Sequence, residues 1–337
     1  VAVLRGLGLE EAAMAAGLRS RAVRLCEHRR GHLVVTLDLA RDAAGQVFLL
    51  MHRADLIGLL ERAARAAGVQ IETGRAIDTV HETGQGVALG FADGTRETVA
   101  FAIGADGLHS RMRPMLNGEA APFFTGQVAW RAIVPAPRAP SPEARVTMGP
   151  RRHVVSYPLR GGEVMNIVAV QEEASWTDEG WMHEGDPDAL RASFADFGGP
   201  ARALLDRVDK VHVWGLFRHP VAARWHGRAS ALLGDAAHPT LPFLAQGANL
   251  ALEDAWVLAA CLAERDSDAA LALYQARRRP RVIRAIDAAN ANARNYHLAN
   301  PLVRAGAHAA LRLAGKVAPA APLRRFDWLY GHDVTQG

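Results

Sequence analysis

The run Ala229–Leu233, closed by Gly234-Asp235 and followed by a long apolar-periodic stretch from Gln246 to Ala263, constrains the fold of this chain more than any other feature. Small and apolar residues bounded by glycines read as a buried strand. The later stretch, Gln246–Ala263, reads as a long helix. A strand that ends in Gly-Asp and hands over to a helix opening on Gly247 belongs to an α/β layer fold, with its ligand edge at the carboxyl end of the strand. The acid can accept hydrogen bonds there. The helix start presents unpaired N–H groups and partial positive charge to an electron-rich ligand. On this reading Glu253 and Asp254 are solvated helix charges, and His238 is a loop residue satisfying the backbone.

A second turn of the same kind follows the predicted strand Thr98–Ile103, as Gly104-Ala105-Asp106-Gly107. Glycine allows a sharp turn and a close approach to a ligand. Asp106 serves either a ligand or the start of the next helix, and both readings stay open. Upstream, Val3, Leu4, Leu7 and Leu9 predict a helix ending near Gly6 or Gly8. Residues 33–38 and 47–51 read as strands joined by the loop DAAGQ, and His52-Arg53-Ala54-Asp55-Leu56 opens a helix that stops at Gly68. Val69–Glu72, Thr79–His81 and Val87–Phe91 read as strands, with Asp93-Gly94 turning a hairpin.

From 126 to about 220 the pattern changes to strands at Val128–Val134, Arg145–Met148, His153–Pro158, Val164–Gln171 and Lys210–Leu216, with a helix at 187–197. This reads as a mainly antiparallel sheet, and the proline-rich Pro135–Pro142 as a surface loop. Helices are predicted again at 268–296 and 302–315, where Arg277, Arg278, Arg279 and Arg281 read as a solvated face. The net charge of +4 is scattered along the chain, so no nucleic-acid partner is expected. Two cysteines, Cys26 and Cys261, cannot build a disulfide framework, and the 14 histidines show no metal-ligand spacing, so no metal site is expected. No apolar run approaches the ~20 residues of a membrane helix, and the expected location is the cytoplasm.

GADGLHSRMR (104–113), GDAAHP (234–239), LAQGANLALEDA (244–255), HRADL (52–56) and FDWLYGHD (326–333) together resemble the FAD-dependent aromatic hydroxylases that include salicylate hydroxylase and 3-hydroxybenzoate 6-hydroxylase. The resemblance implies a Rossmann-like FAD-binding domain of the para-hydroxybenzoate hydroxylase-like fold, with an inserted antiparallel substrate sheet and C-terminal helices. It places FAD-binding segments at 1–125 and 221–300, the substrate sheet at 126–220 and a helical tail at 301–337. It also implies NADH or NADPH as reductant, O2 as co-substrate, and a flavin C4a-hydroperoxide that hydroxylates a small phenolic or heteroaromatic acid. A homodimer stays open.

By matching motifs, Asp235 in the Gly234-Asp235 turn would hold the ribityl chain, and Asp106 would lie near the pyrophosphate. Arg53 would contact the ribityl-phosphate portion, backbone N–H groups of Gly247, Ala248 and Asn249 would meet the N1/O2 edge, and Pro239 would lie beside the ring. The family's opening GxGxxG has no counterpart here, since Gly6-Leu7-Gly8 follows no strand. That opening spans on the order of 30–50 residues, so a longer protein is expected.

His153 and Tyr157, four apart on a predicted strand, face the same side. Histidine can take a phenolic proton near neutral pH and so make the ring more nucleophilic; Tyr157 could bind a hydroxyl or carboxylate, and Gln246 is a second polar candidate for the pocket. Trp130-Arg131 reads as a surface position or a pocket wall. Two other functions remain: a flavoprotein that epoxidises or hydroxylates a larger non-aromatic metabolite, and a non-catalytic remnant that has lost FAD.

Overall fold

The computed structural model describes residues 1–40, 47–176 and 183–336. The predicted DAAGQ loop (42–46) lies outside the described residues. Two compact units emerge. One comprises Val1–Ala67, Thr125–Leu216 and Arg294–Asp333; the other comprises Gly68–Phe124, Phe217–Ala293 and Val334–Gly337.

The first unit is built on an eight-stranded sheet in the order His183–Gly185, Val211–Arg218, Phe123–Pro135, Val164–Glu172, Arg152–Leu159, Glu143–Gly149, Ala22–Glu27 and Leu33–Asp38. Its central neighbours are antiparallel, as expected of this stretch from its sequence. Ala22–Glu27 instead runs parallel to Glu143–Gly149 and carries Leu33–Asp38 with it. Leu25, Val34, Val35, Val146 and Met148 form a core on this side, against Tyr296 and Leu311. The helix Pro301–Val317 supplies Leu311, and its Gly315 permits close approach, since a Cβ there would meet Val35 Cγ2 at 2.9 Å. Asn300 caps that helix by accepting from Leu302 and Val303 N–H, and Pro301 at its first position loses no helical hydrogen bond.

The helix predicted from 52 to Gly68 spans Arg53–Ala66, with His52 accepting from Ala54 N–H. The predicted helix at 187–197 ends at Ser193, and a further helix covers Gly199–Leu205. The strand expected at 47–51 is reduced to Leu49–Leu50, paired with Leu18–Arg19.

In the second unit, Ile77–Thr83, Gly86–Phe91 and Arg96–Val99 form an antiparallel sheet whose hairpin turns at Asp93-Gly94, where Gly94 has φ +84. The single strand expected over 98–103 is two. Val99 pairs with Val87, whereas Ala102 N–H donates to Ala229 O, so the chain changes partner between them. Val69–Glu72, read as a strand from its composition, forms none; Val69 is 53% exposed, and a strand exists only through a hydrogen-bonding neighbour. The helices Gly247–Glu264 and Ser267–Tyr296 follow the apolar periodicity. Among the described residues no helix is long and apolar enough to cross a membrane.

Candidate functional site

The second unit brings the two Gly-Asp turns together. Ser230–Leu232 runs parallel to Ala102–Gly104 in the register Ser230↔Ala102, Ala231↔Ile103 and Leu232↔Gly104. Gly104-Ala105-Asp106-Gly107 and Gly234-Asp235 therefore leave the same carboxyl edge side by side, the position where open α/β sheets bind ligands. Gly104 has no room for a side chain, since a Cβ would lie 2.9 Å from both Leu232 and Met112. Gly234 turns at φ +59, in the left-handed region that favours glycine. Asp235 is exposed between buried Gly234 and Ala236, and Pro239 is buried in the following loop. Asp106 is exposed too, but its Oδ2 accepts from the N–H of Arg111 at 2.7 Å and of Met112 at 3.4 Å, so one oxygen holds its own loop.

Gln246 stands at the start of Gly247–Glu264 and gives it no side-chain cap; its buried Nε2 donates to Leu244 O at 3.2 Å. The first helical bond runs from Leu250 N–H to Gln246 O at 2.8 Å, so the N–H groups of Gly247, Ala248 and Asn249 precede the ladder and have no acceptor inside the helix. Ala248 and Asn249 are exposed.

The residues that hold this edge were not recognised as such in the sequence. Arg113, the last residue of GADGLHSRMR, is buried and donates to the carbonyls of Ala236, Ala237 and Pro220 at 2.9, 3.1 and 2.6 Å, clamping the loop after Gly234-Asp235. Asp254, fully buried, accepts from Gly234 N–H at 3.0 Å, from Arg278 Nε at 2.8 Å and pairs with His238 Nε2. Burial works to raise the Asp254 carboxyl, but the hydrogen bond from His238 and the charge of Arg278 outweigh it and hold it below the usual carboxylate range. Glu253 bridges Arg278 and Arg281, each at 2.7 Å.

Glu253 and Asp254 are therefore not solvated helix charges, and Arg278 does not belong to a solvated face. His238 likewise stacks on Trp225 at 5.1 Å instead of merely filling a loop. The signal was present: Leu250, Glu253, Asp254, Val257, Leu258 and Cys261 lie on one helical stripe, and Leu271, Tyr274, Arg278 and Val282 on another. Charged residues in the middle of an apolar stripe are buried with their counter-charges.

The other three candidates belong to the first unit. Arg53 is exposed at the first turn of its helix, and the neighbouring Asp55 accepts from Arg160 at 3.2 Å, which ties that helix start to the end of the Arg152–Leu159 strand. His153 and Tyr157 share one face of that strand, opposite Val170 and Asn166. His153 is 2% exposed, 5.4 Å from the Tyr296 ring, and its Nδ1 lies 2.7 Å from His297 Nε2. Burial, and then the neighbouring His297, hold His153 well below the usual imidazole range, so it stays neutral at neutral pH. Burial raises the Tyr157 phenol, partly countered by Arg131. Arg131 lies against Trp214 at 5.7 Å.

This donor set suits FAD. Exposed carboxylates at Asp106 and Asp235 can accept from its hydroxyls, a glycine turn at Gly234 admits close backbone contact, and an uncapped helix start offers N–H donors to the electron-rich ring edge. The FAD binding domain family model matches residues 1–289. A 3-amino-4-hydroxybenzoate 2-monooxygenase of Streptomyces platensis is 34% identical over 99% of this chain and 84% of its own length. A 3-hydroxybenzoate 6-hydroxylase of Klebsiella oxytoca is 31% identical over 88% of this chain and 77% of its own. The solved structure of a salicylate hydroxylase substrate complex superposes with a TM-score of 0.83 at 25% identity, covering 99% of this chain and 86% of that one. The mixed sheet with its helices is thus the fold of the FAD-binding hydroxylases. This chain belongs to the FAD binding domain family, among its FAD-dependent aromatic-ring monooxygenases.

Proposed function

We propose that this monooxygenase uses NADH or NADPH and O2 to hydroxylate a small phenolic or N-heteroaromatic acid. The observation that carries the reading is the parallel pairing of Ser230–Leu232 with Ala102–Gly104, which delivers both Gly-Asp turns to one edge. The substrate class is supported by relatives named for 3-amino-4-hydroxybenzoate, 3-hydroxybenzoate and salicylate, each a benzene ring with a hydroxyl and a carboxylate.

When bound, FAD supplies the redox chemistry with O2. The protein's part is to bind, orient and move protons. Asp235 would accept from the ribityl hydroxyls, and Asp106 and Arg53 would serve the pyrophosphate and the ribityl phosphate. The N–H groups of Gly247, Ala248 and Asn249 would stabilise negative charge on the ring edge, and Pro239 would help to wall the ring. His153, neutral and buried, takes the proton of the substrate hydroxyl, because a phenolate ring is more nucleophilic than a phenol. Tyr157 and Gln246 orient the substrate's polar groups.

The test is a panel of salicylate, 3-hydroxybenzoate, 6-hydroxynicotinate and 3-amino-4-hydroxybenzoate, with NAD(P)H oxidation followed and products identified. At least one should be hydroxylated. His153→Ala should then slow product formation by about 10²–10⁴-fold while FAD stays bound and hydrogen peroxide is released. Wild-type rate and coupling in His153→Ala across pH 6–9 would remove His153 as the base.

A further inference from the structure

The hydrogen bonds behind His153 have a direction. The carboxylate of Glu172 lies 3.1 Å from His297 Nδ1, and a carboxylate at neutral pH only accepts. His297 therefore carries its proton on Nδ1. A neutral imidazole has one N–H, so His297 Nε2 is an acceptor, and His153 Nδ1, 2.7 Å away, must donate to it. His153 is left with its basic lone pair on Nε2. One exposed carboxylate thus sets the tautomers of two buried rings in turn: His153 is 2% exposed and His297 is 4% exposed, while the Glu172 side chain is 40% exposed.

We propose that His297 and Glu172 are positioning residues for His153: they fix its proton on Nδ1 and its basic nitrogen at Nε2, and they conduct the proton it accepts out to the exposed carboxylate. The proposal rests on the reading of His153 as the base. A proton arriving from a phenolic hydroxyl at His153 Nε2 would create an imidazolium in a site where burial opposes charge. Passing the Nδ1 proton to His297 Nε2, and the His297 Nδ1 proton to Glu172, returns both rings to neutrality and moves the positive charge to the carboxylate, from which water removes it. The same path in reverse returns a proton to the product's oxygen and restores the original tautomers.

The neighbouring groups of the described residues fit this direction. The Tyr296 phenol, whose ring lies 5.4 Å from His153, is pushed up to about 12 by burial, partly offset by Arg325, and stays protonated. Arg151 Nε lies 3.9 Å from the second oxygen of Glu172, and its backbone N–H donates to the His297 carbonyl at 3.1 Å, which ties the two segments together. Val170 and Met148, opposite His153 in the ladders, are apolar.

Two measurements test the relay. The first needs no turnover: ¹⁵N NMR of the histidine-labelled holoenzyme should show His153 protonated at Nδ1, a preference lost in His297→Phe. A wild-type His153 protonated at Nε2 would overturn the proposal. The second uses Glu172→Gln, an exposed and isosteric change that keeps an acceptor oxygen but cannot take the proton. On the panel substrate the wild type hydroxylates fastest, product formation should fall about tenfold or more at pH 7 and recover as pH rises toward the phenol's own pKa of about 10, with Glu172→Asp partly restoring the rate. If the wild type is active and Glu172→Gln keeps its rate and pH profile, the relay fails and the hydroxylase reading stands. If the wild type hydroxylates no panel member, that reading fails and the conducting role falls with it, while the NMR result still decides the tautomer.

Discussion

Replacing Asp254 with Asn changes one atom at the point where the second Gly-Asp turn is anchored. The carboxylate receives Gly234 N–H and His238 on Oδ2 and Arg278 Nε on Oδ1, all in a site with no solvent exposure. An amide offers one acceptor oxygen and one NH2 donor. Either Arg278 or the Gly234–His238 pair must then face a donor, which forfeits at least one charge-assisted bond of about 1.5–3 kcal/mol. Arg278, 1% exposed, would keep Glu253, which also serves Arg281, as its one charged partner, beside a 3.4 Å bond to Leu250 O. Removing one partner of a buried ion pair costs about 3–5 kcal/mol, so Asp254→Asn should destabilise by about 3–4 kcal/mol.

Urea denaturation followed by circular dichroism at pH 7 measures this directly. Glu61→Gln provides the control, because Glu61 pairs with Arg65 on an exposed helix face and should cost less than about 0.5 kcal/mol. The Asp254 carboxyl is held below its usual range, so its stabilisation is present above the unfolded value of about 3.9 and disappears as pH falls through the folded value. The gap between wild type and variant should be constant from pH 5 to 8 and close below about pH 4. A loss under 1 kcal/mol at pH 7 would refute the assignment of Asp254 as the anchor.

Asp235→Ala should weaken FAD retention by roughly tenfold to a hundredfold with an unchanged circular dichroism spectrum, since a hydrogen bond to a charged group contributes about 1.5–3 kcal/mol; equal affinity by fluorescence titration would make Asp235 a turn residue only. The pH dependence of folding should carry the signature of the histidine pair. Burial holds both His153 and His297 below the usual imidazole range, so the unfolded chain takes up protons near pH 6.5 that the folded one does not. Stability should therefore fall on acidification, by on the order of 2 kcal/mol between pH 7 and 5.5 for the pair, and by less in His153→Phe. Urea midpoints that fall equally in both proteins would count against it.

Local chemistry determined much of this protein from its sequence. The glycines at 94 and 234 mark turns because only a residue without a Cβ adopts positive φ cheaply, and periodicity placed the helices beginning at Arg53, Gly247, Ser267 and Pro301. Most strands were legible as runs, although Ala22–Glu27 was not anticipated, and most partners were not legible. Ala22–Glu27 lies parallel to Glu143–Gly149, and Val69–Glu72 has the composition of a strand without a ladder. A ladder depends on what the rest of the chain brings alongside, which no window of neighbouring residues contains. The same holds for charge. Glu253, Asp254 and Arg278 were read as solvated because each is polar, and only the packing of two successive helices showed that their charges meet in the interior. His153 and Tyr157 could be placed on one face from their spacing alone. That His153 rests on His297, 144 residues away, was decided by tertiary structure, because a hydrogen bond between distant segments depends on where folding leaves them.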